Sequence, residues 1–207
     1  MHVNNEIGTI QDIAKIGELL NGKGVIFHVD AAQSAGRLAI DLTALNVNLM
    51  SFSAHKNYGP KGVGALYIQQ RPRIRLAAQS FGGGQEKGMR SGTLPTHQIV
   101  GMATAFKISE EIRINEQAKI KKLRDELWQG IKNIPIIKLN CDFQHTIAGI
   151  LNFSLREIDG EALIIALKPI AISSMSACAA SSNKSSYVLK EIGLSEELAK
   201  SSIRICV

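Results

Sequence analysis

The sequence is poor in several things, and each shortage excludes a class of protein. Of its 207 residues only three are cysteine, Cys141, Cys178 and Cys206, far apart and odd in number. That pattern is no disulfide framework, and it fits a reducing compartment, the cytoplasm or, in a eukaryote, the mitochondrial matrix. No CxxC or Cys/His pair has the spacing of a structural zinc site. No apolar run approaches the ~18 residues that span a bilayer, so no membrane association is expected. The opening "MHVNNEIGTIQD" has neither a basic nor an apolar leader segment. Aromatics are only 5% of the chain, and they do not interleave with the basic runs "RPRIR" (71–75) and "KIKKLR" (119–124). The net charge of +6 is therefore read as solubility and attraction to anions, with no direct nucleic-acid binding expected. There is no internal repeat and no low-complexity tract.

What is present is an alternation of strand and helix patterns. "QDIAKIGELLN" has helical spacing and stops at Gly22 and Gly24. "GVIFHVDAAQS" reads as a buried strand ending in Asp30, "DLTALNV" as a short helix, "NLMSFSAHK" as a strand ending at Ser53, His55 and Lys56, and "GVGALYIQQ" as another strand. After the glycine-rich loop "FGGGQEKGMRSGT" comes a long helix over about 95–133, then "GILNFSL" (strand), "DGEALIIALK" (helix), "IAISS" (strand), "SSYVLKEIG" (helix) and "SSIRICV" (strand). The class is α/β, with a mixed, mostly parallel large-domain sheet over residues 1–114 and a smaller α/β domain over 115–207. Both ends read as cut, so the chain is expected to be a fragment of a longer protein.

Ligands of open α/β sheets sit at the carboxyl ends of strands. Asp30, Gln33, Ser53, His55 and Lys56 all fall there. A lysine in such a crevice, its pKa lowered by burial and neighbouring charge, is a nucleophile toward carbonyls. Pyridoxal 5'-phosphate (PLP) is bound through such a lysine as a Schiff base, and it needs a carboxylate opposite its pyridine nitrogen. Asp30 is in the right layer for that. His28, two residues before Asp30, reads as a satisfied core histidine. His2, His97 and His145 read as structural or exposed, Cys141 as a loop thiol and Cys206 as a packed one. Arg90 is open between binding phosphate and pairing with an acid.

The segments "HVNNEIG", "HVDAAQSAG", "MSFSAHKNYGPKGVGALY", "GGGQEKGMRSGT", "SACAASS" and "SSIRI", in this order, resemble the cysteine desulfurases of the IscS/NifS type. These are fold-type I, PLP-dependent enzymes of the class V aminotransferase superfamily. The resemblance runs over essentially the whole chain and implies that about the first third of the usual chain, and a C-terminal stretch, are missing. It implies that Lys56 carries the cofactor and later the α-proton, and that Asp30 pairs with the pyridine nitrogen. Gln33 and Asn5 lie on the phenolic-oxygen side, and Ser53 and His55 bind the phosphate. Thr93 reaches the phosphate of a neighbouring subunit's cofactor, so a homodimer is implied. Arg204, with Asn5, holds the substrate carboxylate, for which a guanidinium fork is well shaped. Cys178 takes the sulfur of L-cysteine as a persulfide and L-alanine leaves. The sulfur is then passed to an iron–sulfur scaffold protein or other acceptors, for cluster assembly and tRNA thiolation. The same thiol is a candidate transient cluster ligand.

Cys178 lies in "SSMSACAASS", small residues on both sides, as a nucleophile that travels between cofactor and acceptor requires. No cation stands within five residues of it, Lys184 being the nearest in sequence. Met175 departs from the resemblance, standing where a glycine is usual. Two other readings compete: a selenocysteine lyase or another PLP enzyme of the same superfamily, which would not need Cys178, and an inactive truncated chain.

Overall fold

A computed structural model describes residues 1–167, 170, 172 and 185–207, apart from the side chains of residues 161 and 164. "IAISS" as a strand, and the loop with Met175, Cys178 and Lys184, lie outside these residues.

The chain divides into two compact units. The first comprises residues 1–2 and 11–113, the second residues 3–10 and 114–207. Residues 3–10, expected with the first domain, group with the second unit. A single helix, Thr96–Ile131, contains the division.

In the first unit, helix α1 (Ile13–Leu20) starts where the sequence pattern placed it. Asp12 caps it by accepting a hydrogen bond from the Lys15 backbone N–H, one of the donors a helix start leaves unpaired. Three strands follow, β1 (His28–Asp30), β2 (Leu49–Ser53) and β3 (Gly64–Ile68), ordered β1-β2-β3. β1 and β2 are parallel, with Asp30 opposite Ser51, and β3 is antiparallel to β2, with Ser53 opposite Gly64. Val29 and Met50 sit in the core with Ile13, Ala31 and Val47. Fully burying a Val or Met side chain contributes about 1.5–3 kcal/mol, which fixes the register of the two parallel strands.

Between β1 and β2, "DLTALNV" is not the helix its pattern predicts. The Asp41 carboxylate accepts from both the backbone N–H and the hydroxyl of Thr43, closing a local turn that competes with a helix. His28 is exposed, not a core histidine. Helix α2 (Thr96–Ile131) follows the glycine-rich segment and carries the ion pairs Glu110–Arg113, Lys121–Asp125 and Lys122–Glu126 at i,i+3 and i,i+4 spacings, each about one turn.

The second unit holds an antiparallel sheet, β4 (Ile137–Leu139), β5 (Ile150–Leu155) and β6 (Ser202–Cys206), with β5 central. All six residues of β5 are buried, and strict alternation sorts them. Leu151, Phe153 and Leu155 enter an apolar cluster with Ile203. Asn152 and Ser154 face the other way, opposite Arg204 and Ser202. Short helices α3 (Gly160–Ala166), α4 (Tyr187–Glu191) and α5 (Glu196–Lys200) are capped by Asp159, Ser186 and Ser195. Cys206, at the frayed end of β6, is exposed and does not pack as expected.

Among the described residues, no helix is long and apolar enough to cross a membrane, and no cluster of His, Cys, Asp and Glu is placed to hold a metal ion.

Candidate active site

In the first unit the candidate residues collect where β1 and β2 end. The strands run parallel, so their carboxyl ends share one sheet edge. Asp30 ends β1 half-buried. One of its oxygens, Oδ1, accepts from the Ala32 backbone N–H at 2.8 Å, and the other has no protein donor among the described residues. Ser53 ends β2 and passes directly into a 3-10 turn over Ala54–Asn57 that carries His55 and Lys56. The Ser53 hydroxyl and His55 Nδ1 are 3.1 Å apart, a hydroxyl and an imidazole side by side. Lys56 is exposed and its ammonium enters no ion pair among the described residues, so the burial invoked from sequence is absent in this chain.

The turn bearing Lys56 is braced from beneath. Asn57 is 3% exposed, and its Oδ1 accepts from the Ser109 hydroxyl of α2 at 2.9 Å. Gly36, at φ +75°, passes so close that a Cβ there would lie 2.1 Å from Asn57 Oδ1. Only glycine permits both that conformation and that approach. From the same segment, Arg37 donates to the Gln33 side chain and to the Lys56 carbonyl.

Thr93 is exposed, in the glycine-rich segment. Arg90 meets no acid among the described residues; its Nη1 donates to the Gly92 carbonyl at 3.2 Å. A cavity of about 750 Å³ in this unit is lined by Phe52, Leu66, Leu76, Met89 and Leu94 among others, and none of Asp30, Gln33, Ser53, His55 and Lys56 lines it. The candidate residues at the strand ends thus lie apart from the lining of this cavity.

In the second unit, Arg204 is half-buried on the polar face of β6. Its Nη1 donates to the Asn5 carbonyl at 2.8 Å, while its buried Nε has no partner among the described residues. A desolvated donor left open is costly unless a ligand meets it, and the fork suits a carboxylate. Asn5 thus holds Arg204 through its main chain. Its neighbour Asn4 shapes the turn, accepting from the backbone N–H groups of Glu6 and Ile7.

Sequence reasoning missed the polar network under this arginine. Asn152 donates to the Glu6 carbonyl at 3.2 Å. Asn140 donates to Asn152, Ser154 and Ser202. The buried Glu6 carboxylate accepts from the Ser186 hydroxyl at 2.5 Å. Asn152 and Ser154, two positions apart in "ILNFSL" among apolar neighbours, were the available signal.

His2, read from sequence as structural or exposed, is buried; burial holds its imidazole below its usual pKa. The Cys141 thiol is pushed up, again chiefly by burial, as befits an unreactive loop cysteine. His97 and His145 are exposed, the latter bonded to Asp142 at 2.7 Å.

The family Aminotransferase class-V matches residues 1–205. "Cysteine desulfurase IscS" of Escherichia coli O139:H28 (strain E24377A / ETEC) is 57% identical over 204 residues, covering 99% of this chain and 50% of that protein. The protein of the same name from Shigella boydii serotype 18 (strain CDC 3083-94 / BS512) gives the same figures. Among solved structures, the NifS-like protein from Rickettsia africae ESF-5 aligns over 100% of this chain and 54% of its own, with a TM-score of 0.87 and 31% identity. DndA from Streptomyces lividans aligns over 100% and 59%, with a TM-score of 0.82 and 36% identity. The chain spans about half the length of the curated relatives it matches.

Proposed function

We propose, from the premise that the chain belongs to the class-V aminotransferase family, that the protein it represents is a PLP-dependent cysteine desulfurase. The identity to proteins named cysteine desulfurase supports this reading. The observation that carries it is the parallel pairing of β1 and β2, which brings Asp30 and the Ser53–His55–Lys56 group to one sheet edge.

Bound PLP supplies an electron sink for bond breaking at the substrate's α-carbon. The residues present suit it. Asp30 keeps a carboxylate oxygen open for a protonated ring nitrogen. Ser53 and His55 offer a hydroxyl and an imidazole for a phosphate, and Thr93 serves the phosphate of a second subunit. Gln33 and Asn5 attend the phenolic oxygen. Lys56 offers an amine that enters no ion pair among the described residues. On this reading residues 1–114 belong to the large cofactor-binding domain and 115–207 to the small one.

Each residue then has a task. Lys56 holds the cofactor and carries the α-proton. Arg204 binds the carboxylate of L-cysteine, its open Nε matching the missing partner. The Cys178 thiolate attacks the substrate sulfur: an S–S bond forms, the Cβ–S bond breaks, and alanine leaves once the carbon is reprotonated. The persulfide is passed to a scaffold protein or another thiol acceptor.

In the full-length protein, added PLP should give a visible band near ~420 nm that is lost in Lys56→Ala. Cys178→Ser should keep the band and lose sulfide release from L-cysteine. Sulfide release that survives in Cys178→Ser would refute the thiol's role, and no PLP uptake would refute the reading as a whole.

A further inference from the structure

We infer that Arg37 is a positioning residue that fixes which end of the Gln33 amide is presented to the ligand at the ends of β1 and β2. The inference rests on the PLP reading above. A carboxamide has an acceptor end and a donor end, and the two are interchangeable in shape. Unrestrained, Gln33 could present either. Arg37 removes that freedom, because a guanidinium has donors only and does not lose its proton in a protein. Its Nη1 is 2.8 Å from Gln33 Oε1 and 3.1 Å from the Gln33 carbonyl. The atom it bonds must be the oxygen, so Nε2, with two N–H groups, is the end left for a ligand. That is the end that suits an anionic oxygen such as the cofactor's phenolic one, and it would repel a donor.

The clamp is itself fixed. Arg37 Nη2 donates to the Lys56 carbonyl at 3.2 Å, across nineteen residues of sequence. One guanidinium therefore ties the segment carrying Gln33 to the turn carrying Lys56. The backbone beneath it is set by Arg37 N–H to Ser34 carbonyl (3.0 Å) and by the close passage of Gly36 over Asn57. Neither the charge nor the exposure of Arg37 is needed by the mechanism otherwise, and no carboxylate pairs with it among the described residues.

The test measures PLP dissociation constants in the full-length protein by equilibrium dialysis and the visible band. Arg37→Met removes every donor and should weaken PLP binding roughly tenfold, the worth of one well-placed hydrogen bond. Arg37→Lys keeps a donor for Gln33 Oε1 and should recover most of the loss. Gln33→Ala should lose as much as Arg37→Met, and the double variant should lose no more than about twofold beyond either, since the two act as one unit. The melting temperature of the PLP-free protein should change little in Arg37→Met, because the tie to the Lys56 carbonyl is solvent-exposed and adds little to stability. Wild-type affinity in Arg37→Met, losses that multiply in the double variant, or a melting temperature that falls with the affinity would each overturn the inference while the band still depends on Lys56. A protein that takes up no PLP at all overturns the inference together with the reading beneath it.

Discussion

Gly36→Ala is the sharpest probe of the scaffold under Lys56. Two penalties add. An alanine at φ +75° takes on about 1–2 kcal/mol of left-handed strain that glycine escapes. Its Cβ would also stand 2.1 Å from Asn57 Oδ1, 2.6 Å from Cγ and 2.8 Å from Nδ2. Asn57 has little room to yield: it is 3% exposed and bonded to Ser109. Moving it breaks a buried hydrogen bond and strands the groups that made it, about 1–3 kcal/mol. The expected destabilisation is about 2–5 kcal/mol, measured by urea denaturation with far-UV circular dichroism as the probe. In a Ser109→Ala background Asn57 is no longer tethered, so the cost of Gly36→Ala should shrink toward the strain alone, a coupling of about 1 kcal/mol or more. A cost below about 1 kcal/mol in wild type, or strictly additive single and double variants, would show that Asn57 is not the rigid brace described.

Two further outcomes are expected. Arg204→Lys keeps the charge but loses the fork that reaches both Asn5 and a carboxylate, so KM for L-cysteine should rise roughly tenfold or more with a smaller change in kcat; an unchanged KM would assign the carboxylate to another group. Burial lowers the pKa of His2 in the folded chain, so the unfolded chain binds its proton first. Stability from this group is complete above about pH 6.5 and is lost as the pH falls below that value. The urea midpoint should drop between pH 7.5 and 5.5, less so in His2→Asn, and equal slopes in the two proteins would remove His2 as the cause.

The strand ends were legible because short apolar runs broke off at polar residues, and burial of Val29 and Met50 enforces that reading. "DLTALNV" misled because its apolar spacing is helical while Asp41, at its start, spends its carboxylate on Thr43 and closes a turn. Cys206 was expected to pack by alternation, yet β6 loses cover toward its end, where Arg204 and Ile205 are already half-exposed. The brace under Lys56 was illegible for another reason: Asn57 and Ser109 are 52 residues apart, and nothing local marks them as partners. The same holds for Asn140 and Ser202, 62 residues apart, in the polar layer of the second sheet. Local pattern reports which face a residue shows, and pairing across a sheet or onto a helix needs the fold.

The grouping of residues 3–10 with 114–207 has a consequence for how the chain acquires its structure. The bonds Asn5–Arg204, Glu6–Ser186 and Glu6–Asn152 join positions 199, 180 and 146 residues apart. In order of synthesis, the turn that will hold Arg204 emerges before residues 11–113, and its partners emerge after them. The unit made from 11–113 lies wholly between them in sequence. It can collapse while residues 3–10 wait unpaired, and once compact it shortens the effective loop those late bonds must close. Arg204 thus finds its support only after the intervening unit has been made. A sequence change that slows the first unit delays the second, even with every contact of the second unit intact.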